Sequence, residues 1–181
     1  SIVYVPLTNT SAFTNRIFTA TITETHSGIA AGTFIPKVYF NKNNGTYFST
    51  NGVLLSGNHR NGEWQFTIDN SLMGGAGIND VIRYFVIAQD SVGNYSSVPA
   101  YAVAENTNTI LANPINPYQY TIAAPLAQVI TVGPTGNYPN LTGGTGLFNA
   151  INTSFLQGNT LVLLENGSTI NEPGTIGLNQ W

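Results

Sequence analysis

The chain has 181 residues, 42% of them hydrophobic and 11% aromatic, and no cysteine; disulfide frameworks, thiolate zinc sites and cysteine nucleophiles are excluded together. Charged residues make up only 7% and the net charge is −3, so solubility rests on Asn, Thr, Ser and Gly rather than on the usual share of about 25% charge. Five basic residues, Arg16, Lys37, Lys42, Arg60 and Arg83, are too few and too scattered to form the positive stripe a phosphate backbone requires, so nucleic acid is not an expected partner.

No apolar run approaches membrane-spanning length, and membrane insertion is not expected. The opening SIVYVPLTNT has no basic n-region, which places any export signal upstream. Up to about residue 105 the pattern has a period of two. RIFTATIT puts Phe18, Ala20 and Ile22 on one face and three threonines on the other, the signature of a half-buried strand. PKVYFNKN turns Val38 and Phe40 inward with Tyr39 opposite, and Pro36 suits a strand start. GEWQFTID repeats the alternation with Trp64, Phe66 and Ile68, while IRYFVIAQD is apolar on both faces and predicts a central strand. Asn43-Asn44-Gly45, Asn51-Gly52, Asn61-Gly62, Gly74-Gly75 and Gly93-Asn94 punctuate these runs as turns. The spacing predicts a β-sandwich of about seven strands between Ile2 and Val103.

From Ala104 to Pro125 the chain becomes rich in Asn, Thr and Pro, which predicts a linker, with YQYTIA as a candidate closing strand. Beyond it, QVITVG and NTLVLLEN are predicted strands, and GLFNAINTSFL carries Leu147, Phe148, Ile151 and Phe155 at helical spacing. A strand, a short helix and a strand cannot build an independent core. The unit is therefore expected to continue past Trp181.

Two stretches carry a resemblance. Residues 1–103, with YVPLTNT, NRIFTATITETHSGI, PKVYFNKNNGTY, NGEWQFTID and IRYFVIAQDSVGN, resemble the immunoglobulin-like or fibronectin III-like modules repeated in large cell-surface proteins of Bacteroidetes. Residues 129–181, with ITVGPTGNYPNLTGGTGLFNAIN and GLNQW, resemble the opening of the parallel β-helix segments that often follow such modules. The resemblance implies an all-β chain: an immunoglobulin-like β-sandwich of about seven strands at 1–104, a linker at 105–125, and the N-terminal part of a right-handed parallel β-helix at 126–181. It also implies an extracellular, cell-surface or secreted location, with export by the type IX system and gliding adhesins among the relatives. The lack of cysteine agrees with a bacterial origin. Expected partners are neighbouring modules of the same chain, surface glycans or the secretion machinery.

Candidate sites are few. In YFVIAQDSVGNYSS, Tyr84, Val86 and Ala88 are predicted to face the core, Asp90 to accept backbone N–H groups in the following turn, and Gly93 to supply a positive φ. Asp90-Ser91-Val92 also matches the Asp-Ser/Thr-apolar pattern of O-glycosylation implied by the resemblance, which makes Ser91 a modification candidate. Asn-X-Ser/Thr triplets at Asn9, Asn44, Asn94, Asn140, Asn152 and Asn166 are read as turns and polar surface. Acid–base catalysis needs two carboxylates on one wall or an oriented His. Glu24, Glu63 and Asp69 lie in or beside predicted strands, and Glu165 and Glu172 in the last segment. Glu165 can line a groove of a complete lyase or hydrolase or, on the preferred reading, stay solvated or cap a turn. His26 and His59 sit in turn contexts without a second ligand at metal spacing. No cofactor is expected; calcium is the ion that Asp69, Asp80 and Asp90, near loop ends, suit best, although none forms a D-x-D-x-D loop. Tyr39, Tyr47, Phe48, Phe85 and Tyr95 are candidates for stacking on sugar rings, against the preferred reading that they form a second packing layer against the linker or the next module. The function expected from these residues is a non-enzymatic extracellular structural or adhesive module. The alternative is the carbohydrate-binding accessory region of a secreted polysaccharide-degrading enzyme.

Overall fold

Alternation in the strands calls for a second layer, because apolar side chains at every second position are buried only if something covers that face, and here the cover is a second sheet. The computed structural model describes residues 1–154, 159–167 and 169–179. Its chain divides into two compact units, Ser1–Ile122 and Ala123–Trp181. The first contains β1 (Ile2–Val3), β2 (Arg16–Thr23), β3 (Lys37–Lys42), β4 (Phe48–Asn51), β5 (Val53–Asn58), β6 (Asn61–Ile68), β7 (Val81–Gln89), β8 (Tyr95–Val98), β9 (Val103–Asn106), β10 (Thr109–Ala112) and β11 (Tyr118–Thr121). One sheet runs β1-β2-β6-β5 and the other β11-β7-β3-β4, every pair antiparallel.

The expected inward residues meet in one core. Phe18, Ala20 and Ile22 of β2 and Trp64, Phe66 and Ile68 of β6 pack against Val38 and Phe40 of β3 and Ile82, Tyr84, Val86 and Ala88 of β7. Each large side chain buried there contributes roughly 1.5–3 kcal/mol relative to exposure. Tyr84 sits at the centre of an aromatic cluster, its ring centroid 5.5 Å from Phe18, 6.1 Å from Tyr118 and 6.2 Å from Tyr120. β7 is the central strand its two apolar faces predict, and Phe85 and Ile87 on its outer face are also buried.

The structure departs from expectation at the predicted linker. Residues 103–112 fold back as the β9–β10 hairpin over the outer face of β3 and β7, where Ala102, Ala104 and Ile110 cover Tyr39, Phe85 and Ile87. β11 then pairs with residues 81–84 of β7, while β8 pairs with residues 86–89. A strand has two edges; β3 occupies one along residues 82–87, so β8 and β11 share the other end to end. The first unit therefore closes at Ile122, not at residue 104, and residues 105–122 are built into it rather than joining it to the second. The closing strand expected from YQYTIA is β11, whose Tyr120 is buried. Up to Val98 there are eight strands rather than about seven, because FSTN and VLLSGN form β4 and β5 without clean alternation.

The turns follow the glycines and asparagines with one correction. Asn61-Gly62 opens β6, and the hairpin turn is His59-Arg60, where the Asn58 Oδ1 accepts the N–H groups of Arg60 and Asn61. At Gly52, between β4 and β5, a Cβ would come within 2.7 Å of the Phe66 ring, so only glycine lets the chain pass over the core there.

The second unit holds β12 (Val129–Val132), α1 (Leu147–Thr153) and β13 (Leu161–Leu164), with β12 and β13 parallel. Parallel pairing needs a crossover, which α1 supplies. Leu126, Ile130, Val132 and Leu147 form its small core, with Ile151 packed against it; Phe155 lies outside the described residues. All four side chains of β13 are exposed. The chain is thus all-β with a single short helix among the described residues. No helix there is long and apolar enough to cross a membrane.

Candidate functional site

The predicted stacking residues separate into three groups. Tyr39 and Phe85 are 9% and 0% exposed, stacked on each other at 5.4 Å and 10° beneath the β9–β10 hairpin, with the Tyr39 hydroxyl donating to the Thr107 carbonyl at 2.9 Å. They are packing residues and offer no face to a sugar. Phe48 is half-buried against the main core. Tyr47, half-buried with its ring edge-on to Phe85 at 5.6 Å, lines an open depression beside Arg83, and Tyr95, 38% exposed, stands at the other end of the unit.

Tyr95 borders a cleft of about 180 Å³ between the β1–β2 edge and the turn that joins β7 to β8. Asp90 ends β7 there and performs the expected role. Its Oδ1 accepts the N–H groups of Val92 at 3.0 Å and Asn94 at 2.8 Å, while Oδ2 accepts from the Asn94 side-chain amide at 2.8 Å. Gly93 takes φ 99° to close the turn. Ser91 is exposed; its Oγ donates to the Ser27 carbonyl at 2.8 Å, a hydrogen bond that glycosylation of the oxygen would remove.

The hydrogen bonds to Asn94, above all that from its side chain, hold the Asp90 carboxyl below the ordinary value of 3.8. A depressed carboxyl adds stability above its ordinary value and loses it as pH falls through the folded-state value. We expect the Asp90 carboxyl carbon to titrate below the ordinary range by NMR, and Asn94→Ala to move the midpoint back up. Equal midpoints in the two proteins would mean that the turn network does not form in solution.

Glu24 also lines the cleft, but its Oε1 accepts the N–H groups of His26 and Ser27. The other calcium candidates are likewise engaged in their own turns. Asp69 caps the 3-10 turn Asn70–Met73 by accepting from the Ser71 N–H and hydroxyl. Asp80 accepts from the Gly77 N–H and the Asn43 side chain and lies 3.9 Å from Lys42. Among the described residues no three acidic, histidine or cysteine side chains converge on a metal-sized space. His59 has Nδ1 3.1 Å from the Ile29 carbonyl and its ring edge-on to Trp64, which ties the β5–β6 turn to the preceding loop; His26 is exposed.

In the second unit Glu165 accepts from the Thr135 N–H and hydroxyl, and Glu172 from the N–H groups of Leu141 and Thr142 and the Thr142 hydroxyl. Those contacts, the Thr142 hydroxyl first, keep Glu172 below the usual carboxylate range. The two glutamates are held by loops and do not face each other through any shared hydrogen bond.

Sequence reasoning passed over Arg83, Asn41 and Gln119, which lie in one cross-strand row on the outer face of the second sheet. The available signal was a lone arginine inside an otherwise apolar strand, VIRYFVIAQ. Compared with known proteins, the chain matches no family model and no curated sequence.

Proposed function

We propose that the chain is a non-enzymatic structural or adhesive module of a large extracellular protein of a bacterial surface. Its first unit would be an immunoglobulin-like sandwich and its second the opening of a parallel β-helix, exported by the type IX route that the resemblance implies. The observation that carries this reading is the use made of the acids. Of the eight in the chain, Glu24, Asp69, Asp80, Asp90, Glu165 and Glu172 all accept backbone N–H groups in loops. Carboxylates spent on holding turns are poorly placed to carry a proton to and from a substrate. The parallel β12–β13 pair supports the β-helix part, since a further parallel strand beside β13 would extend the sheet and stack its side chains against the exposed Leu161–Leu164.

The alternative, a carbohydrate-binding accessory region of a polysaccharide-degrading enzyme, draws on Tyr95 and on the open depression beside Tyr47. Incubation with neutral and acidic polysaccharides is expected to release neither new reducing ends nor unsaturated sugars; release of either overturns the non-enzymatic reading. A glycan array with calcium and with chelator then divides adhesion from spacing. Binding lost in Tyr95→Ala or Tyr47→Ala identifies an adhesive face, and no binding leaves a spacer.

A further inference from the structure

We propose that the outer face of the second sheet around Arg83 is a binding site for a carboxylate-bearing sugar, a hexuronate unit of an acidic polysaccharide. Arg83 is the single charge in β7, flanked by Ile82 and Tyr84, which face the core, so it points outward. Register places Asn41 of β3 on one side of it and Gln119 of β11 on the other. The next row on the same face, Tyr39 and Phe85, is sealed by the β9–β10 hairpin, whereas Arg83 is only half-buried and Gln119 is exposed. Residues 113–117, between β10 and β11, wall it. The result is a depression of about 340 Å³ over Asn41, Tyr47 and Arg83 and a second of about 640 Å³ over Arg83, Tyr118 and Gln119. These volumes fall within the range of small-molecule sites, roughly 300–1,000 Å³.

Two polar side chains of opposite sense sit on neighbouring strands there without a hydrogen-bond partner for the guanidinium or for the amide oxygen among the described residues. Arg16 and Arg60 donate to the carbonyls of Thr8 and Thr25, but Arg83 has no such acceptor, nor an ion pair, among the described residues. Beside it Asn41 is 3% exposed; its Nδ2 donates to the Gly45 carbonyl at 3.0 Å, which fixes the amide orientation and leaves Oδ1 buried with no donor. An unpaired buried acceptor is costly and calls for a donor. Tyr47 lines the same depression as Arg83, and its phenol pKa is raised by burial, with the Arg83 charge opposing the rise.

The ligand chemistry follows from these parts. A planar guanidinium without a competing acid takes a carboxylate in two parallel hydrogen bonds. Sugar hydroxyls both donate and accept, which suits the exposed Gln119 amide. The Tyr47 ring offers an apolar surface to the C–H face of a pyranose. Among the described residues Arg83 is the only cation lining either depression, and a single positive charge matches the one negative charge of a uronate better than a phosphate dianion.

The test is an NMR and calorimetric titration of the full chain with oligomers of galacturonate, glucuronate, mannuronate and guluronate, and with methyl-esterified oligogalacturonate as the uncharged twin. At least one acid oligomer is expected to bind, with shifts confined to the region of Asn41, Tyr47, Arg83 and Gln119 and weakening as salt rises. Arg83→Gln should weaken binding about ten- to hundredfold, esterification should do the same to a galacturonate ligand, and Arg83→Lys should fall between. Arg83 makes no side-chain hydrogen bond or ion pair among the described residues, so these variants should keep the wild-type spectrum away from the site. Binding by none of the four oligomers, unchanged affinity in Arg83→Gln, or equal binding of the methyl-esterified twin overturns the assignment. The inference rests on the adhesive half of the proposed function; glycan binding that Tyr95→Ala abolishes and Arg83→Gln leaves intact would sink this site and keep that reading.

Discussion

Ile122→Ala is expected to destabilise the first unit by about 2–5 kcal/mol, the usual cost of emptying a well-packed isoleucine site. Ile122 is 0% exposed and belongs to the main core. Its N–H donates to the Asp80 carbonyl at 2.8 Å, and its own carbonyl accepts the Asn79 N–H at 2.7 Å. The adjoining Thr121 N–H donates to Asn9 Oδ1 at 2.8 Å, so this end of the chain is fastened to a loop more than a hundred positions earlier. Chemical denaturation followed by tryptophan fluorescence would measure the loss, since Trp64 lies in the same core. A flexible linker predicts no change in midpoint at this position. That result would return the boundary of the first unit to residue 104 and contradict the pairing of β11 with β7.

The second large effect is expected at Tyr84. Removing its ring in Tyr84→Ala should cost about 3–5 kcal/mol, because the side chain is 0% exposed and touches four other aromatic rings, Tyr4, Phe18, Tyr118 and Tyr120. Tyr84→Phe isolates the hydroxyl, which accepts the Leu7 N–H at 2.6 Å. Leaving that partly buried donor unpaired should cost about 1–3 kcal/mol. A phenylalanine variant as stable as wild type would show that water replaces the hydroxyl and that the N-terminal segment is not held by it.

Burial pushes the Tyr84 phenol up to about 12. A raised phenol is neutral in the folded state while the unfolded chain ionises near 10, so stability is full below that value and is lost as pH climbs through about 12. Tyr4 and Tyr120 are raised for the same reason, desolvation. Phenolate absorbance and unfolding are therefore expected to rise together in the wild type, with Tyr84→Phe removing part of the coupling.

Both predictions concern the same architectural point. β7 is the hub of the second sheet, and its second edge is closed by two strands, β8, which follows it directly, and β11, which arrives from further along the chain. β8 follows from local turn chemistry at Asp90 and Gly93. β11 does not, because its partner is set by which edge remains free after β3 and β8 have paired. The second packing layer follows the same logic: Tyr39 and Phe85 are apolar on the outer face of their strands, and a hairpin drawn from an Asn- and Thr-rich segment covers them.

What the sequence determined by itself were local matters. Alternation in RIFTATIT, GEWQFTID and PKVYFNKN set which side chains face the core, since the strand period of two leaves no other option once one face is apolar. Asp90 and Gly93 specified their own turn, because a short carboxylate reaches the N–H groups of the next few residues and only glycine takes that φ at no cost. The all-β class followed from these same signals. Tertiary structure alone decided that residues 105–122 complete the first unit, that two of the five candidate aromatics are sealed inside, and that Asn41, Arg83 and Gln119 form one row. Those three residues are separated by dozens of positions and share no motif. Antiparallel register brings them together, and register is a property of paired strands that no single strand carries.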